Sequence, residues 1–116
     1  MSTQATRHTL IAFATIAGLC FSLPAFAQYD AEAAETMFKE NDCHKCHHAT
    51  KSKKGPPLSK TAAKYKGKAD AEAKLIEHMS KGGKVKLEDG TEEDHKVLDT
   101  KDPEVIRNVA HWILDR

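Results

Sequence analysis

The chain has 116 residues, with 18 Lys and Arg against 17 Asp and Glu, a formal net charge of +1, and a 6% aromatic content. A charge total so close to zero singles out no polyanionic partner, and no nucleic acid is expected to bind. The length limits the chain to one small domain.

Arg7 and His8 precede a run that is free of charge from Leu10 to Ala27 and closes on Ala25-Phe26-Ala27. This is the basic, apolar and small-x-small order of a secretory signal peptide, so residues 1–27 are expected to be removed and the mature domain to span 28–116. Pro24 interrupts the run, and a membrane span needs about 20 apolar residues, so no membrane span is expected in the mature chain. Cys20 is discarded with the leader. Removing Arg7 leaves basic and acidic residues in equal number, but unevenly placed: Lys45 to Lys68 holds eight lysines and no acid, and Glu88 to Glu104 holds eight acids against Lys96 and Lys101. Such a dipole can orient a charged partner.

In "YDAEAAETMFKEND" apolar residues recur at Ala33 and Met37 and, one step on, at Ala34 and Phe38, a helical spacing that turns Met37 and Phe38 toward a core, with Asp30, Glu32 and Glu35 crowding the first turn. A basic loop follows, "HATKSKKGPPLSK", whose Gly55-Pro56-Pro57 cannot be helical in its middle. "SKTAAKYKG" reads as a short helix capped by Ser59 or Thr61 and stopped at Gly67. "DAEAKLIEHMSKGG" is a second, capped by Asp70, with Leu75, Ile76 and Met79 on its apolar face and Lys74, Glu77, His78 and Lys81 opposite. The stretch from Lys84 to Lys101 has no period and one Asp-Gly turn signal, and its length implies that it is either disordered or serves the site. The last helix opens at Asp102-Pro103, buries Val105, Ile106, Val109, Ala110, Trp112 and Ile113, and turns Glu104, Arg107, Asn108, His111 and Asp115 away. No strand is expected.

Cys43-His44-Lys45-Cys46-His47 is C-x-x-C-H, the pattern of covalent haem attachment. Two thiols three positions apart at a helix end can each form a thioether to a haem vinyl group, and the next residue then comes under the iron as an imidazole ligand. A structural zinc site needs four ligands, and no second Cys or His pair lies at suitable spacing. A thiol redox pair would require strands alternating with helices, which are missing. His44 and His48 are read as solvated neighbours, as are His78 and His111.

The mature chain resembles a small bacterial class I cytochrome c. The helix ending in "CHKCH", the "GPPL" loop, the "AAKYKGKADAEAKLIEHMSKGG" middle and the final "VIRNVAHWIL" helix follow that family's order over residues 30 to 116. The resemblance implies an all-α class I cytochrome c fold of four to five short helices around one haem c bound through Cys43 and Cys46. It implies that His47 is the proximal iron ligand and that the Pro56 carbonyl accepts its ring N–H. It also implies that the first and last helices cross at Ala34, with Phe38 near Trp112.

That family usually takes its sixth ligand from a methionine in the loop before the last helix, and here Gly83 to Asp102 contains none. Met37 and Met79 sit on helices where packing accounts for them. His95, in "TEEDHKVLD", occupies the loop 17 residues before Trp112, near the family's methionine position. It is therefore the candidate distal ligand, ahead of Met79 or water. The expected protein is a periplasmic, monomeric electron carrier and not an enzyme, with bis-histidine iron of low potential. Its lysine-rich loop would help dock a redox partner protein. A second expectation is that His95 detaches and the iron binds a small gas such as nitric oxide, carbon monoxide or oxygen.

Overall fold

A computed structural model describes residues 28–116; the predicted leader and its Cys20 lie outside them. Among the described residues the order is α1 (Ala31–Glu40), a 3-10 turn (Cys43–Lys45), α2 (Leu58–Tyr65), α3 (Ala71–Lys81), β1 (Lys84–Lys86), β2 (Glu92–Asp94) and α4 (Pro103–Leu114).

Helix α1 starts where the Asp30 carboxylate accepts the Ala33 N–H at 2.9 Å, and buries Ala34 and Phe38 one turn apart. It ends at Asn41, a buried polar residue whose side-chain amide donates to the Met37 carbonyl at 2.9 Å and whose oxygen accepts from Asp99 N at 2.7 Å. One side chain thus closes the helix and ties it to the segment ahead of α4. Asp42 then takes a left-handed φ of 60°, which turns the chain sharply into Cys43.

The N-cap of helix α2 lies two residues before the expected Ser59 and four before Thr61. Pro57 stands at the N-cap position with no side-chain hydrogen bond to give, and Leu58 is buried at once. In α3, Asp70 precedes the helix as expected, but its carboxylate pairs with Lys74 at 2.7 Å and makes no capping bond. Ala71, Leu75 and Met79 form the buried stripe. Gly82 ends α3 with φ of 67°, a conformation that L side chains avoid.

The expectation of no strand is corrected: β1 and β2 pair antiparallel, Lys84 opposite Asp94 and Lys86 opposite Glu92. β1 alternates over only three residues, Lys-Val-Lys, and β2 has no apolar residue at all, so periodicity could not reveal them. Cross-strand charge does the pairing, with Lys84 Nζ 2.9 Å from Asp94. Asp89 accepts from the Thr91 N–H and hydroxyl, and Gly90 takes φ of 86° at the turn.

Helix α4 is capped by Asp102 through the Glu104 N–H at 2.9 Å, with Pro103 in its first turn. It packs against α1, α2 and α3. Ala34 and Ala110 are both fully buried, and small residues let helices approach closely. The Phe38 and Trp112 rings meet at 5.2 Å with a 58° tilt, a favoured aromatic geometry.

Three residues expected to face away from the α4 core instead secure it. Asn108 accepts from Asp30 N and donates to Asp30 O, at 2.7 and 2.8 Å. His111 donates from Nε2 to Glu72 at 2.7 Å, and Arg107 reaches the other Glu72 oxygen at 3.0 Å. These bonds, first that from His111, hold the Glu72 carboxyl below its usual pKa. A depressed carboxylate contributes stability above its unfolded pKa of about 4.3, and loses it as pH falls through the folded value. Urea unfolding as a function of pH should therefore show an acid loss in the wild type that is smaller in Glu72→Gln.

Candidate functional site

The site is assembled from the turn after α1, the basic loop before α2, the end of α3 and the segment between β2 and α4. Cys43 and Cys46 are free thiols, both partly buried. His47 N closes the turn on Cys43 O at 2.9 Å, so the motif is wound into a single tight turn. Burial raises the Cys43 thiol above its ordinary pKa, which keeps it a thiol and not a thiolate at neutral pH.

The His47 ring is fixed by the loop that follows it. Its Nδ1 lies 2.8 Å from the Pro56 carbonyl oxygen. A carbonyl only accepts, so Nδ1 carries a proton and Nε2 is the ring nitrogen with no protein partner. The approach is close enough to require Gly55: a Cβ there would stand 2.6 Å from His47 Cε1 and 3.0 Å from Nδ1. In Gly55→Ala the ring or the loop must shift, at a cost of about 1–3 kcal/mol as for other overpacked sites. The check is a lowered urea midpoint together with a displaced nuclear magnetic resonance signal for the His47 Nδ1 proton.

His95 faces this ring across the site, with centroids 6.0 Å apart and planes at 52°. Its backbone N–H donates to Gly83 O at 2.8 Å, and the His95 carbonyl would lie 2.6 Å from a Cβ on Gly82. The glycine pair that ends α3 is thus what lets the His95 segment pass so near. Burial, then the charges of His78 and His47, push the His95 pKa down to about 4. The ring is therefore neutral at physiological pH, the form in which an imidazole binds metal. Its Nδ1 is buried with no hydrogen-bond partner.

His95 is held from both sides by exposed ion pairs. Lys54, in the basic loop, reaches Glu93 at 3.3 Å, and Lys96 reaches Asp42 at 3.0 Å. The first of these pairs links the two oppositely charged stretches, and both join the two walls of the site. His44 is exposed, as expected. His48 is not simply solvated: its Nδ1 accepts from both Thr50 N and Lys51 N at 3.1 Å and shapes the basic loop.

His78 is the site residue that sequence reasoning missed. Its ring lies against His95, centroids 3.9 Å apart, and burial, then His47 and Lys64, lower its pKa. It sits three positions after Leu75 on α3, at the border of the apolar stripe, and that spacing was the available signal. Met79, the other sulfur candidate, is in the hydrophobic core with Leu75 and Leu98.

Chemically, the arrangement offers two thiols on one turn, an imidazole with a fixed tautomer and a free Nε2, and a second neutral imidazole facing it. A metal–imidazole bond of about 2 Å on each side separates ring centroids by about 6 Å, so the interval between His47 and His95 accommodates one iron. The donor set therefore fits a haem. Among the described residues no three His, Cys, Asp or Glu side chains converge as a metal cluster, which is the arrangement a structural zinc would need.

The family described as Cytochrome c matches residues 31–116. The chain is similar to cytochrome c-551 of Pseudomonas aeruginosa, at 38% identity over 52 residues that cover 45% of this chain. The match spans about half the length of that relative. Among solved structures, the class 1 cytochrome MtoD from Sideroxydans lithotrophicus ES-1 is similar at 50% identity and a TM-score of 0.73, covering 76% of this chain and 97% of that one. Wild-type cytochrome c552 of Nitrosomonas europaea is similar at 29% identity and a TM-score of 0.54, covering 73% and 96%.

Proposed function

Since the chain belongs to the cytochrome c family and so binds one haem c covalently, we propose that it is an exported, periplasmic electron carrier whose iron is held between His47 and His95. The observation that carries this reading is the pair of imidazoles, His47 and His95, that face each other in a chain with no methionine between Gly83 and Asp102. When bound, the haem supplies one-electron ferric and ferrous chemistry.

The protein's own residues do the rest. Cys43 and Cys46 attach the group, and the turn that carries them delivers His47 Nε2 to one side of the iron. Pro56 holds that ring in place and, by accepting its Nδ1 proton, raises its basicity. His95 closes the opposite side. The exposed lysines around His47, among them Lys51, Lys53 and Lys60, give an acidic redox partner protein a surface to meet near the attachment turn. The uncharged run ending at Ala27 supports export. No helix among the described residues is long and apolar enough to cross a membrane.

The test is the absorption and electron paramagnetic resonance spectrum of the oxidised protein together with its reduction potential. A low-spin signature with no thioether-to-iron charge-transfer band is expected. The potential should lie below that of a histidine–methionine relative by on the order of 0.1–0.2 V, a fraction of the ~0.8 V that axial ligands span. A high-spin oxidised spectrum, or the thioether band, rules the His95 assignment out.

A further inference from the structure

Six histidines lie among the described residues, and most have a visible occupation. His47 donates to Pro56, His48 caps the basic loop, His111 donates to Glu72, and His44 is exposed. Two remain: His95, with a buried ring nitrogen that lacks a partner, and His78, whose ring makes no hydrogen bond among the described residues. These two lie against each other at 3.9 Å. Buried polar groups normally find a partner; the buried His95 nitrogen points to a ligand that the protein itself does not supply, and the partly buried His78 ring lies beside it.

Their supports differ in kind. His78 stands on α3 between Leu75 and Met79, both buried, so its backbone is part of the core. The His95 segment hangs on a charge-paired hairpin, the exposed Lys54–Glu93 and Lys96–Asp42 pairs, one backbone bond to Gly83 and two glycines, Gly82 and Gly83, with φ of 67° and 121°. It rejoins the core only at the buried Leu98, whose N–H donates to Met79 O at 2.9 Å. Exposed pairs contribute about 0–1 kcal/mol each. Any opening of this segment therefore takes His95 with it and leaves His78 behind.

We propose that His78 is a reserve sixth ligand: when the His95 segment opens, the His78 imidazole takes the iron position that His95 vacates. This rests on the bis-histidine reading above. The step exchanges one iron–nitrogen bond for another between two neutral imidazoles, with no change in net charge or electron count. Its consequence is that loss of His95 does not expose the iron to small gases.

The experiment compares oxidised and ferrous holoprotein in the wild type, His95→Ala, His78→Ala and the double variant. Helical content is checked by circular dichroism, and His95→Gln replaces His95→Ala if the latter does not fold. The expected result is a low-spin His95→Ala protein with g-values shifted from wild type, a His78→Ala protein that stays low-spin, and a double variant that alone becomes high-spin. Ferrous His95→Ala should resist carbon monoxide, and the double variant should bind it readily. A high-spin His95→Ala overturns the reserve role while leaving the bis-histidine reading standing. A low-spin double variant overturns it by showing that some other group ligates. If His78→Ala turns high-spin while His95→Ala keeps the wild-type spectrum, both readings fail, because His78 is then the resident ligand.

Discussion

A chain with both Cys43→Ala and Cys46→Ala should lose most of its helical circular dichroism and unfold without a sharp urea transition. The buried core is thin for the number of residues it must order: of its members only Val109 is a large side chain buried to the limit, and Ala34, Ala62, Ala71 and Ala110 contribute little area each. Small domains have total stabilities of about 5–15 kcal/mol. A haem that buries roughly 400 Å² of apolar surface would contribute about 10 kcal/mol at ~25 cal/mol per Å². The attached group is therefore comparable to the whole margin. A wild-type transition in the double variant would show that the helices hold together alone.

Trp112→Ala in the holoprotein is expected to be the most damaging single core substitution, costing about 3–5 kcal/mol. The indole stacks at a tilt on Phe38 across the α1–α4 crossing, and the Arg116 guanidinium lies 4.5 Å from its ring centre. Removing it leaves a cavity where the two terminal helices meet. For a domain of this size each kcal/mol lowers Tm by about 4–8 °C, so a fall of roughly 15–30 °C is expected. A calorimetric shift under about 5 °C would mean that the crossing is held mainly by other contacts.

The sequence was most legible where one local signal determines one local outcome. Helix α4 announces itself through Asp102-Pro103 and its apolar stripe, and the structure returns that cap and that face. Likewise the placing of Pro56 O beside the His47 ring followed from the family's order of motifs and is met at 2.8 Å. The hairpin escaped notice because its strands are only three residues long and are matched by charge. His78, His111 and Asn108 were misjudged for a shared reason. A helical wheel separates apolar from polar faces, but it does not say which polar side chains border a neighbouring element and find a partner there. His95 faces His47 because Gly82 and Gly83 redirect the chain after α3, a tertiary consequence that no window along the sequence contains.

The two walls of the site differ in compliance. On one, Gly55, Pro56 and the attachment turn clamp His47 by covalent geometry and a short hydrogen bond. On the other, His95 rides on a strap fastened by solvent-exposed charges. Under the bis-histidine reading proposed above, a displacement that accompanies a change of oxidation state is expected on the yielding side, so the strap is expected to set the rearrangement that electron exchange requires. Salt that shortens the Debye length to about 8 Å or less weakens those fastenings. Ionic strength thus becomes a control on turnover between redox states, separate from its effect on how partners meet.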